Sequence, residues 1–96
     1  MSFQNQAIEI LKNAKPALVA NYPIKHLAVF GSVSRMEDDE NSDIDILVEF
    51  NRNVGMEFIH LSYELEKILK RKVDLVSSNG IKEKYFKEIE SELIYV

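Results

Sequence analysis

Asp43 and Asp45 stand two residues apart in SDIDILVEF, and Asp74 follows further along in VDLVS. In a strand successive side chains point to opposite faces, so Asp43 and Asp45 share one face while Ile44, Ile46, Val48 and Phe50 line the other. Two carboxylates that close repel, and both are harder to ionise unless a cation or donors intervene. Taken alone, such a pair is ordinarily solvated, with Asp43 in a loop and Asp45 on an uncovered sheet face. The functional alternative is a divalent metal held by both carboxylates, with substrate phosphate oxygens completing its shell. Asp74 favours the second account. In its strand Val73 and Leu75 point one way and Asp74 the other, so a neighbouring position would bring a third carboxylate to the same face. Three carboxylates can hold two ions about 4 Å apart, which clamp the attacking and leaving oxygens of an in-line phosphoryl displacement.

Gly31-Ser32 follows an apolar stretch directly and supplies a tight turn into a helix start, where free amides suit a phosphate. Read in isolation it is a simple turn with Ser32 as N-cap. A P-loop is excluded, because no GxxxxGK[ST] pattern occurs. Ser32 lacks the GxSxG turn of a hydrolase, and only His26 and His60 could serve as its base. Without cysteine there is no thiolate zinc site and no cysteine nucleophile. Arg35, near the Gly-Ser turn, divides evenly between a phosphate contact and a loop salt bridge. Lys70, Arg71 and Lys72 precede Asp74 and could reach phosphates, although cations are expected at a helix C-terminus anyway. Glu37 to Glu40 reads as a solvated acidic face. His26 and His60 lack ligand spacing, and Tyr63, Tyr85 and Phe86 read as core or interface aromatics.

The elements that must position these residues follow from periodicity. Phe3, Ala7, Ile10, Leu11, Ala14 and Leu18 recur at helical steps, with Pro16 inside the pattern, which predicts a helix over 2–14 and a kink or short second piece to about Asn21. HLAVF at 26–30 is a strand ended by Gly31, followed by a short helical turn and loop. IDILVEF at 44–50 is the second strand, Gly55 to Leu69 a helix, and VDLVS at 73–77 the third strand. Ser-Ser-Asn-Gly then turns into a last helix on Ile81, Tyr85, Ile89 and Leu93, and 93–96 closes as an edge strand. This alternation predicts an α/β (α+β-like) fold: one small mixed sheet with helices mainly on one face and the carboxylate face open. At 96 residues the chain has room for one core, so 1–96 is read as a single domain. No apolar run approaches the about 18 residues of a membrane span, and Met1 to Phe3 leads into polar sequence rather than a signal peptide, which points to the cytoplasm. A net charge of −4 disfavours a nucleic-acid substrate but permits a nucleotide carried with metal ions.

Together LAVF, Gly31, Ser32, Arg35, Ser42, Asp43, Asp45 and Asp74 resemble the polymerase beta-like nucleotidyltransferase superfamily, specifically its minimal, MNT-type members. The resemblance covers nearly the whole chain, including the Leu93-Ile94-Tyr95-Val96 tail. It implies that Asp43, Asp45 and Asp74 hold two Mg²⁺ ions (or Mn²⁺), and that Asp74 helps activate the incoming hydroxyl. Gly31 and Ser32, with Arg35 and Ser42, would hold the triphosphate of ATP. It further implies transfer of AMP to a hydroxyl, tyrosine above all, of a HEPN-domain toxin, in a hetero-oligomer where this chain is the antitoxin. Most minimal members carry glycine where this chain has Met36, a position suited to positive φ. That departure supports the alternative of a catalytically silent antitoxin that neutralises its partner by direct contact.

Overall fold

The first apolar stripe folds as one helix, α1, Phe3–Asn21, with the Ser2 hydroxyl accepting from the Asn5 amide at its start. The computed structural model describes residues 2–96; Met1, the first residue of the stretch read as no leader, lies outside them. A separate second piece after Pro16 does not occur, since Pro16 lies within the continuous helix. Pro16 and the Lys12 whose carbonyl it leaves unbonded are both exposed, so water can serve that carbonyl. Leu11 and Leu18, on either side of the proline, are both buried in the core.

Strand β1, Ile24–Phe30, begins two residues earlier than the apolar pattern suggests, and the added turn contains a register irregularity between Ile24 and His26. A four-residue helix, α2, Gly31–Ser34, follows at once. Then come β2 (Ile44–Phe50), α3 (Met56–Leu69), β3 (Val73–Ser77), a 3₁₀ turn (Ser78–Gly80), α4 (Glu83–Ile89), a second 3₁₀ turn (Glu90–Glu92) and β4 (Ile94–Tyr95). The sheet order is β3-β2-β1-β4, with β2 antiparallel to β1 and parallel to β3, and β4 antiparallel to β1. This is the mixed α/β sheet expected, and α3 is the crossover that a parallel β2–β3 pair requires.

The alternation along β2 is realised: Ile44, Ile46, Val48 and Phe50 are buried against Leu11 and Leu18 of α1 and Leu61, Leu65 and Leu69 of α3. The opposite face is less open than expected. Phe30 and Leu47 on that face are buried under Ile89, with Phe86 and Leu93 packed alongside, so α4 roofs part of it. Leu47 explains the difference, because a buried leucine between Asp45 and Glu49 needs a cover that β2's own pattern does not supply.

Candidate active site

Asp45 is fixed from both sides by sheet register: it pairs with Phe30 across the antiparallel β1 and with Asp74 across the parallel β3. The side chains of register partners share a face, so Asp45 and Asp74 stand together on neighbouring strands about 4.8 Å apart. Asp43 lies just before β2 and is exposed, with the strand entry beside it tied by the Ile44 amide donating to the Lys72 carbonyl at 2.9 Å. Asp45 is half-buried and its pKa is raised, chiefly by burial and then by the charges of Asp74 and Asp43; Arg35 opposes the shift and Glu92 adds to it. Burial and like charge therefore act together on one carboxylate, which is the condition a cation relieves.

Gly31 supplies the wall of this site. Its φ is +75°, and a Cβ built there would fall onto the Asp45 carboxylate. Only glycine lets the end of β1 approach Asp45 so closely. Ser32 is half-buried at the head of α2, and its carbonyl accepts from the Glu37 amide at 2.8 Å, closing the turn that follows. The turn passes through Met36 at φ 58°, so the positive φ that glycine would favour is adopted by methionine. At the other side Gln4 Nε2 donates to the carbonyls of Val33 and Ser34 at 3.3 and 2.7 Å, anchoring α2 to α1.

Arg35 makes a salt bridge in this structure: Nε to Glu37 and Nη1 to Glu92, both at 2.6 Å. Ser42 is engaged elsewhere, its hydroxyl accepting from the Asp39 amide at 3.0 Å in the loop before β2. The acidic run is not simply solvated. Asp38 pairs with Arg71 at 3.6 Å, while the Arg71 guanidinium stacks over Phe3, 3.7 Å from its centroid. Arg71 thus braces the loop and is no phosphate contact in this arrangement. Lys70 ends α3 at φ 57°, and His26 packs edge-on against Tyr95.

Glu92 went unmarked in the sequence, and Tyr85 reads there only as a core or interface aromatic. Glu92 accepts from the Gly31 amide at 3.1 Å as well as from Arg35. The Val29–Ile94 register, continued two steps, sets Glu92 opposite Gly31, so the signal lay in the pairing of a strand only two residues long. Tyr85 on α4 has a phenol raised by burial and then by Asp45, Asp74, Glu88 and Glu92, which places it within the field of the site.

Among the described residues no group of three His, Cys, Asp or Glu side chains closes into a metal cage. An open carboxylate pair with a third acid nearby still fits Mg²⁺, which keeps waters and is usually bound by one or two carboxylates plus substrate phosphates. A concavity lined by Phe50, Arg52, Phe58, Ser77 and Asn79 among others lies at the far end of β2 and β3, and no acidic residue lines it.

A nucleotidyltransferase domain family matches residues 11–96. A protein of Methanocaldococcus jannaschii designated a candidate protein adenylyltransferase is 47% identical over 92 residues, 92% of either chain. Of solved structures, one described as a candidate minimal nucleotidyltransferase has a TM-score of 0.79 and 30% identity, covering 98% of this chain and 95% of the other. The complex of a tri-AMPylated HEPN toxin with MNT antitoxin from Shewanella oneidensis has a TM-score of 0.62 at 21% identity, covering 99% of this chain and 71% of that one, and is alike in fold.

Proposed function

Since the chain belongs to the nucleotidyltransferase domain family, we propose that it transfers AMP from ATP to a hydroxyl of a HEPN-domain toxin and thereby acts as its antitoxin. The observation that carries this reading is the opposition of Asp45 and Asp74 beside Gly31. The designation of the Methanocaldococcus jannaschii relative as a candidate protein adenylyltransferase supports protein as the acceptor, and the tri-AMPylated HEPN toxin in the Shewanella oneidensis complex supports a toxin. A tyrosine is the acceptor we favour.

In the proposed reaction the acceptor oxygen attacks the α-phosphorus of ATP, the bond to the bridging oxygen breaks, and pyrophosphate leaves. The acceptor's proton passes to Asp74, which is exposed. Mg²⁺, held by Asp43, Asp45 and Asp74, would neutralise the triphosphate charge and polarise the reacting oxygens. Ser32 orients the triphosphate at the head of α2, and Gly31 keeps the wall thin enough for it to reach Asp45. Positioning and charge neutralisation supply most of the catalysis in such a transfer.

The silent-antitoxin alternative rested on Met36, and the loop takes methionine at the positive φ that glycine would favour, so the turn keeps its course. Incubating the chain with its HEPN-type partner, ATP and Mg²⁺ and taking intact masses tests the reading. The partner should gain one or more AMP units. Equal neutralisation of the partner by an Asp43→Asn/Asp45→Asn protein, with no mass change, would establish direct contact instead.

A further inference from the structure

Glu92 has both carboxylate oxygens committed. One accepts from the Gly31 backbone amide at 3.1 Å and the other from Arg35 Nη1 at 2.6 Å, with the Glu92 side chain only 21% exposed. A backbone amide and a guanidinium converging on one anion is also the donor set that recognises a phosphate. The carboxylate therefore demonstrates that these donors bind an anion, and it occupies them. Its charge adds to a site that already contains Asp43, Asp45 and Asp74, and it helps make Asp45 harder to ionise. Arg35, the cation that eases Asp45, is at the same time shared between Glu92 and Glu37. A triphosphate approaching Gly31 and Arg35 meets a competitor of its own sign.

We propose that Glu92 is an internal competitor for the phosphate donors, and that ATP binds by displacing its carboxylate from Arg35 and the Gly31 amide. The inference rests on the AMP-transfer reading above and adds to it the residue that sets nucleotide affinity. Glu92 lies in the short turn between α4 and β4, so its release needs only a side-chain movement or a shift of that turn.

The test is calorimetric titration of the whole chain with a non-hydrolysable ATP analogue and Mg²⁺. Glu92→Gln keeps the side chain's size and removes its charge, and it should bind the analogue about five- to tenfold more tightly than wild type. In an Arg35→Ala background the same change should give a smaller gain. A second measurement needs no variant: in wild-type protein the Glu92 carboxyl carbon and the Gly31 amide should both shift in NMR spectra as the analogue saturates. Equal or weaker binding by Glu92→Gln, or a Glu92 resonance unmoved while wild type binds, overturns the proposal and leaves the AMP-transfer reading standing. No binding by either protein removes that reading, and the proposal with it.

Discussion

Asp45 and Asp74 are direct register partners across the parallel β2–β3 strand pair of the sheet. The chain keeps two acidic side chains side by side without a basic residue between them, and burial adds to the cost at Asp45. The energetic consequence can be read from pH. Asp45 has a folded pKa above its ordinary value of 3.8, so the folded chain holds this proton more tightly than the unfolded chain does. Stability should then fall as pH rises from the ordinary carboxylate value through the raised one.

Asp45→Asn removes that loss. Urea denaturation at a series of pH values should show the variant more stable than wild type at neutral pH and flatter across the acidic window. Parallel curves for the two proteins would contradict the assignment. AMP transfer should be lost in the same variant.

Asp74 is exposed, so Asp74→Asn should leave the circular dichroism spectrum and melting temperature near wild type. Transfer should nevertheless fall by about 10²- to 10⁴-fold, the range for loss of a positioned acid-base group. Intact-mass time courses on the partner would measure it, and unchanged rates would remove Asp74 from the site.

Gly31→Ala combines two penalties: a positive φ that an L side chain resists and a methyl group that collides with Asp45. The first costs about 1–2 kcal/mol and the collision adds to it. Denaturant melts should show a loss of about 2 kcal/mol or more, together with loss of nucleotide binding.

Met36 is exposed at φ 58°, and replacing it with glycine relieves the strain at some entropic cost to the folded state. The net expectation for Met36→Gly is a gain of about 0.5–1 kcal/mol, with Met36→Ala giving none. Equal stability in all three proteins would mean that the loop carries no strain.

Most of this architecture is legible from local pattern. Asp45 and Asp74 could be assigned to one face because each interrupts an apolar alternation, and such alternation states its face unambiguously. Gly31 was legible because a glycine at the end of an apolar strand implies a turn. Pro16 misled, because a local rule about helix breaking ignores the burial of Leu11 and Leu18, which is a tertiary fact. Glu92 was invisible for a similar reason. Its role depends on pairing between positions far apart in sequence, and nothing in ESELIY distinguishes it from a solvated glutamate. The cover over Leu47 was likewise set by where α4 docks and not by β2 itself.

The brevity of β4 has a kinetic meaning. It pairs in register with β1 at Ala28 and Val29, with the Val96 amide donating to the Leu27 carbonyl at 3.0 Å just beyond, whereas β2 pairs with nearly the whole length of β1. Local opening costs least where few backbone bonds and little apolar surface must be given up. In native-state hydrogen exchange the β4 amides should therefore lose protection through a low-energy opening of that edge, long before the β1–β2 amides, which report global unfolding. Because Glu92 lies two residues before this edge, the exchange rate there would time how often the carboxylate leaves Gly31.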